Sequence, residues 1–137
     1  MLSVLIDTNV LMVAVSPRSD LHWLYRALIN RKFNLIISTE IVFEYEEQLR
    51  YRYGETVVAD FLLILSEANN VFVREPHFKW HLIHADPDDN KFVDSYISSA
   101  PDYLITHDKH FNVLNQLDFP LVNLIDAYSF QKIVFPI

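Results

Sequence analysis

The feature that most restricts the fold of this chain is an alternation of short apolar runs with longer segments of helical spacing. "SVLI" (Ser3–Ile6), "NLIIS" (Asn34–Ser38), "VFVR" (Val71–Arg74), "YLIT" (Tyr103–Thr106) and "LVNL" (Leu121–Leu124) read as buried strands. Between them, "DLHWLYRALINR", "EIVFEYEEQLRYRY", "ETVVADFLLILSEAN", "DDNKFVDSYISS" and "KHFNVLNQL" repeat apolar residues at helical spacing. A shorter helix around "DAYSFQKI" follows the last run. Strands alternating with helices form a parallel sheet covered on both faces. The expected fold is α/β: a three-layer α/β/α sandwich around a central, mostly parallel sheet of four or five strands. Pro17, Pro76, Pro87, Pro101, Pro120 and Pro136 mostly fall between elements, which supports these divisions. With 137 residues and no internal repeat or Ser/Gly linker, residues 1–137 are expected to form a single domain.

Composition removes several function classes. The single glycine, Gly54, excludes the glycine-rich loops that cradle phosphates. The absence of cysteine excludes disulfides, thiol nucleophiles and thiolate zinc sites, and fits a cytoplasmic protein. No apolar run is long enough to span a bilayer, and Asp7 interrupts the N-terminal one, which argues against a signal peptide. The formal net charge of −7 opposes general nucleic-acid binding. Bound cations would reverse that sign locally, so the placing of the acids matters more than their number.

In parallel α/β sheets, ligands bind beyond the carboxyl ends of the strands. The first strand delivers Asp7 there, inside "VLIDTNVLM" (Val4–Met12), and the fourth delivers Thr106, His107 and Asp108. The second delivers Ser38, Thr39 and Glu40, with Glu44 one turn further on. The loop "HADPDDNKF" (His84–Phe92) feeds a helix beginning with Asp86, Asp88 and Asp89. Each acid also has a plain role as a helix cap or first-turn charge. Asp86 followed by Pro87 fits that role well.

Asp89 resists it, because Asp89, Phe92, Val93 and Tyr96 share one apolar stripe, where a lone carboxylate is costly. Glu44 lies at the rim of the stripe of Ile41, Val42, Tyr45 and Leu49, with Glu46 near the other rim. Asp94 points away from its stripe and reads as a solvated surface acid. Converging carboxylates repel one another, and Mg²⁺ or Mn²⁺, as one or two ions, would relieve that repulsion. Such ions support water-mediated chemistry on phosphodiesters.

Taken together, "LIDTNVL", "ISTEIVFEYEEQL" and "DPDDNKFVDSYISSAPDYLITHDKHF" resemble the PIN domain family over essentially the whole chain. More narrowly, the pattern is similar to the PIN-family toxins of bacterial toxin–antitoxin systems. The resemblance places the family's four acids on Asp7, Glu44, Asp89 and Asp108, with Asn9 and Thr106 as supporting polar positions. It implies Mg²⁺- or Mn²⁺-dependent cleavage of single-stranded RNA by metal-activated water. An antitoxin protein partner and a homodimer are implied as well. Tyr96 departs from the family, where many members carry a small residue.

Lys91, His107, Lys109, His110 and Arg18 lie near the same edge and are expected either to contact phosphates or to be ordinary surface. His77 and His81 have the i, i+4 spacing of a zinc pair, with His84 nearby, but the segment reads as a loop or a short irregular helix and has no cysteine to help. The aromatics of "FEYEEQLRYRY" are expected to pack a helix rather than stack bases. "VVADFLLILSEA" is either a core helix or an interface with a second subunit. Three other readings compete. An aspartate-nucleophile phosphatase would need a second Asp where Asn9 stands, and a receiver domain would need paired acids after the first strand. A catalytically idle PIN-like module that only binds RNA or protein would not need all four acids.

Overall fold

The computed structural model describes residues 1–116 and 121–136. Five strands form one sheet: β1 (Ser3–Ile6), β2 (Asn34–Ile37), β3 (Val71–Val73), β4 (Tyr103–Ile105) and β5 (Leu124–Ile125). Their order is β3-β2-β1-β4-β5, and every neighbouring pair is parallel. Val4, Leu5 and Ile6 are all fully buried, although successive strand residues point to opposite faces. Both faces of β1 are therefore covered, as expected of a parallel sheet wrapped by helices. The helices are α1 (Thr8–Val15), α2 (His22–Ile29), α3 (Thr39–Tyr53), α4 (Glu55–Glu67), α5 (Asn90–Ser99) and α6 (Ala127–Val134). None of the described helices is long and apolar enough to cross a membrane.

The sheet grows outward from its centre in two directions. The chain runs β1, β2, β3 to one edge, then returns across to β4 and β5 on the other side of β1. The carboxyl ends of β1 and β4 thus flank the point where strand order reverses, where open α/β sheets form their ligand crevice. Asp7 N–H donates to the Ile105 carbonyl at 2.9 Å, carrying the pairing of these strands one residue beyond β1.

Several expected elements differ in detail. The last strand is Leu124–Ile125 rather than Leu121–Leu124, while Val122 turns into the core instead of pairing. "KHFNVLNQ" forms a 3₁₀ helix over Lys109–Gln116, and the expected continuation through Leu117, like Pro120, lies outside the described residues. The helix expected over "DDNKFVDSYISS" begins instead with a 3₁₀ turn at Pro87–Asp89 and becomes α-helical at Asn90.

Gly54, at φ +91°, separates α3 from α4. In α4, Val58 and Phe61 are buried while Leu63 is exposed, so the helix packs on the core along one side only. In α3, Tyr45 is buried and Tyr53 donates to the Met12 carbonyl at 2.6 Å, whereas Phe43 and Tyr51 are exposed. Residues 74–86 contain no helix, so the spacing of His77 and His81 places them on no common helical face.

Asp94 corrects an expectation. It is 6% exposed, and its Oδ1 accepts the Trp80 N–H at 3.0 Å. Beside it, the Asn90 side chain bonds both the N–H and the carbonyl of Ile83, each at 2.8 Å. Segment 74–86 lies over this side of α5, so the helix is covered on a face its apolar stripe does not mark.

Candidate metal centre

Asp7 is the residue at which β1 becomes α1. It occupies the N-cap position of α1, yet its carboxylate makes no capping bond. Its Oδ2 instead accepts from the Thr106 hydroxyl at 2.9 Å, and the same hydroxyl accepts the Asp108 N–H at 3.0 Å. One threonine thus ties together the ends of β1 and β4. Asp7 is 3% exposed. Burial is the main cause that pushes its carboxyl up to about 6, against the Thr106 bond, and the charges of Asp108 and Glu44 push the same way.

The second acid comes from α3, which starts on a side-chain cap: Ser38 Oγ accepts the Ile41 N–H at 3.3 Å. Glu44 is half-buried, accepts from the Thr8 hydroxyl and pairs with Lys91 Nζ at 3.1 Å. Lys91 also donates to the Asp88 carbonyl. The neighbouring Tyr45 hydroxyl donates to the carbonyl of Ile6, the residue before Asp7.

The third acid comes from the 3₁₀ turn. Asp86 caps that turn, its Oδ1 accepting the Asp88 N–H at 3.2 Å, and Pro87 begins it. Asp88 points to solvent, whereas Asp89 is 8% exposed and its Oδ2 is buried without a hydrogen-bond partner. His110 Nδ1 lies 3.6 Å from that oxygen and 3.4 Å from Asp108 Oδ1. Burial, then the charges of Asp7, Asp86 and Asp108, push the Asp89 carboxyl up to about 7, with His110 opposing. Among the described residues, Asp86, Asp89 and His110 form a group whose ligand atoms all lie within 4.8 Å of one another.

A cleft of about 510 Å³ opens beside Asp7 and Asp108, lined also by Asn9, Val13, His107 and Tyr128. Asn9 is exposed within it. Three of the residues expected to meet phosphate already have partners: Lys91 on Glu44, His110 between Asp89 and Asp108, and His107 through Nε2, which accepts the Ala127 N–H at 3.0 Å. Lys109 and Arg18 are exposed. Tyr96, the expected departure, is buried, and its hydroxyl accepts the Asn123 N–H at 3.1 Å, so the extra volume serves the β5 side of the sheet.

Sequence does not single out Thr8 as a site residue, and it leaves open whether Asp86 or Asp88 assists Asp89. Thr8 lies inside the "DTN" motif, where its neighbours draw attention; Asp86 is accounted for by its capping role. Chemically, the arrangement concentrates four carboxylates from distant parts of the chain, two of them desolvated. The orphaned Asp89 oxygen suits a hard divalent cation with oxygen ligands.

Among solved structures, the chain is similar to VapBC2 from Rickettsia felis bound to a DNA fragment from its promoter. The TM-score is 0.62 at 13% identity, covering 90% of this chain and 98% of that one. It is also similar to VapC20 of Mycobacterium tuberculosis, described as a sarcin–ricin loop cleaving toxin: TM-score 0.61, 13% identity, 80% and 92% coverage. A third likeness is to FitAcB from Neisseria gonorrhoeae, with TM-score 0.56, 14% identity, and 91% and 98% coverage. No curated protein matches in sequence. The PIN domain family model matches residues 3–110, a span that begins with β1 and contains Asp7, Glu44, Asp89 and Asp108. The chain belongs to the PIN domain family.

Proposed function

We propose that this protein is a metal-dependent endoribonuclease that cleaves single-stranded RNA and acts as the toxin of a toxin–antitoxin pair. The observation that carries the reading is the pair of buried acids, Asp7 and Asp89. Asp7 stands at the strand-order reversal and its charge acts on Asp89, and the two carboxyls are pushed up to about 6 and about 7. Neither has a lysine or arginine partner among the described residues, and one oxygen of Asp89 has no hydrogen bond. Asp7, Asp89 and Asp108, with Glu44 completing the set, would hold one or two Mg²⁺ or Mn²⁺ ions. When bound, such ions polarise the phosphoryl oxygens and activate water as the nucleophile.

The chain's own residues supply the positioning. Thr106 orients Asp7 and anchors the backbone of Asp108. Lys91 and Thr8 hold Glu44 toward the cluster. Asn9 stands at the cleft wall, and Lys109 and Arg18 are exposed cations for the flanking phosphates. The RNA substrate is supported by the likeness to a toxin described as cleaving the sarcin–ricin loop. An antitoxin partner, a homodimer and a cytoplasmic location belong to the same reading.

Asp7→Asn and Asp89→Asn test it. Each is expected to reduce Mn²⁺-dependent cleavage of single-stranded RNA by about a hundredfold or more, because metal stabilisation of the transition state is worth several kcal/mol. Circular dichroism should remain that of the parent. Parental cleavage by either variant would overturn the assignment, and failure of the wild type to bind Mg²⁺ or Mn²⁺ would favour an idle binding module. A phosphoaspartate trapped at Asp7 would favour a phosphatase.

A further inference from the structure

Tyr128 stands on the rim of the cleft that holds Asp7 and Asp108, and the chemistry above gives it no part. It lies in the first turn of α6, whose leading amide, Ala127 N–H, donates to Nε2 of His107. An imidazole that accepts at Nε2 is neutral and carries its proton on Nδ1. The imidazole ring lies nearly parallel to that of Tyr128, with centroids 5.8 Å apart and planes 7° apart. This is an offset stack, a favourable arrangement for two rings. Yet Tyr128 remains 54% exposed, so most of its surface is open beside the acids.

The charge around the cleft restricts what can cover it. Asp7, Asp20 and Asp108 line it, and among the described residues no lysine or arginine does. A phosphate chain lying on this wall would meet acids rather than cations, the exposed Arg18 and Lys109 standing outside the lining. The face of a nucleobase carries no net charge, and stacking on an exposed aromatic ring is a common way to hold single strands. Val10, Val13 and Leu21 add apolar wall to the same cleft.

We propose that Tyr128, braced by the His107 ring, stacks a nucleobase of the single-stranded RNA whose neighbouring phosphate meets the acids. This rests on the nuclease reading and adds to it a base-binding subsite.

The test uses a short single-stranded RNA with 2-aminopurine moved position by position, and Ca²⁺ replacing Mn²⁺, with intact RNA verified on a gel. Wild type, Tyr128→Phe and Tyr128→Trp are expected to quench 2-aminopurine at one position or two adjacent ones. Tyr128→Ala should lose that quenching and raise Kd by about 5- to 150-fold, the range of a single base–aromatic stack. Unchanged quenching and Kd in Tyr128→Ala would overturn the inference, as would wild type quenching at no position. Tyr128→Leu matching wild type would do the same. Cleavage in Mn²⁺ separates the two readings. RNA that is cut while quenching ignores residue 128 removes the base subsite alone. RNA that stays uncut while quenching depends on Tyr128 removes the nuclease and leaves a base-binding site.

Discussion

Asp7 and Asp89 are both buried acids in the same cluster, but they are held in opposite ways. Asp7 sits at the end of a central strand, its backbone in the sheet ladder and its Oδ2 on the Thr106 hydroxyl. Asp89 sits where a 3₁₀ turn enters α5, with one oxygen unpartnered and a histidine 3.6 Å away. The difference follows from where the chain supplies donors. At the β1–β4 junction a second strand end brings a hydroxyl, whereas the turn before α5 brings further carboxylates, Asp86 and Asp88. The donors that follow, Asn90 and Lys91, bond Ile83, Glu44 and the Asp88 carbonyl. Asp7 is thus placed before any ligand arrives, while Asp89 depends more on what arrives.

The largest way to sharpen this contrast is pH in metal-free protein. Both carboxyls lie above the ordinary value of 3.8, at about 6 for Asp7 and about 7 for Asp89. The folded state therefore binds these protons more tightly than the unfolded one. Their contribution to stability is full below about pH 4 and is lost as pH rises toward 6 and 7. At about 1.4 kcal/mol per pH unit for one group, the loss amounts to a few kcal/mol. In EDTA, Asp89→Asn should lack the part of this fall near pH 7. Asp7→Asn should lose the part near pH 6 and, because the Asp7 charge helps raise the Asp89 carboxyl, move the remainder to lower pH. Urea unfolding across pH measures both, and equal stability of wild type and Asp89→Asn at pH 5 and pH 7 would contradict the contrast. Mg²⁺ or Mn²⁺ should restore stability to the wild type at pH 7 and less so to either variant.

A second test removes the support that only Asp7 enjoys. Thr106→Val keeps the volume but deletes the hydroxyl joining Asp7 to the Asp108 backbone. Loss of a hydrogen-bonded partner behind a metal ligand typically costs 10- to 100-fold in affinity or activity. Calorimetric titration with Mn²⁺ should show that loss, and unchanged affinity would mean that Asp7 needs no outer support.

The smallest expected effect concerns the Asp89 side. Asn90→Ala removes the clamp on Ile83 and leaves two buried backbone groups without partners. A cost of about 1–3 kcal/mol follows, read as a lower urea midpoint. Hydrogen exchange should speed up in residues 74–86 but not in β1. Uniform loss of protection would show that segment and sheet unfold together.

Sequence was most informative where one physical signal dominates. Continuous apolar runs with helical segments between them carried the parallel sheet, and Asp89's place on an apolar stripe foretold its burial. It was weaker where packing comes from a segment without periodicity. Asp94 reads as solvated because α5 has one apolar stripe, yet segment 74–86 covers another side. The shift of β5 to Leu124–Ile125 has a similar cause, since a two-residue strand is set by its neighbour β4 rather than by its own pattern. Tyr128 had no signal at all. A tyrosine in a short amphipathic helix is ordinary until strand order brings the start of that helix against His107. Residue type likewise does not show that Lys91 and His110 face carboxylates of their own chain.

The Tyr45 hydroxyl on the Ile6 carbonyl has a mechanical consequence. It works as a strut of fixed length between α3 and the central strand, and each of its ends lies one residue from an acid, Glu44 and Asp7. The spacing of those two acids is then held by this phenol ring together with the Thr8 hydroxyl, which donates to Glu44 itself. A slight loosening of α3 would register first as a miscalibrated gap between Glu44 and Asp7, well before the fold itself gave way.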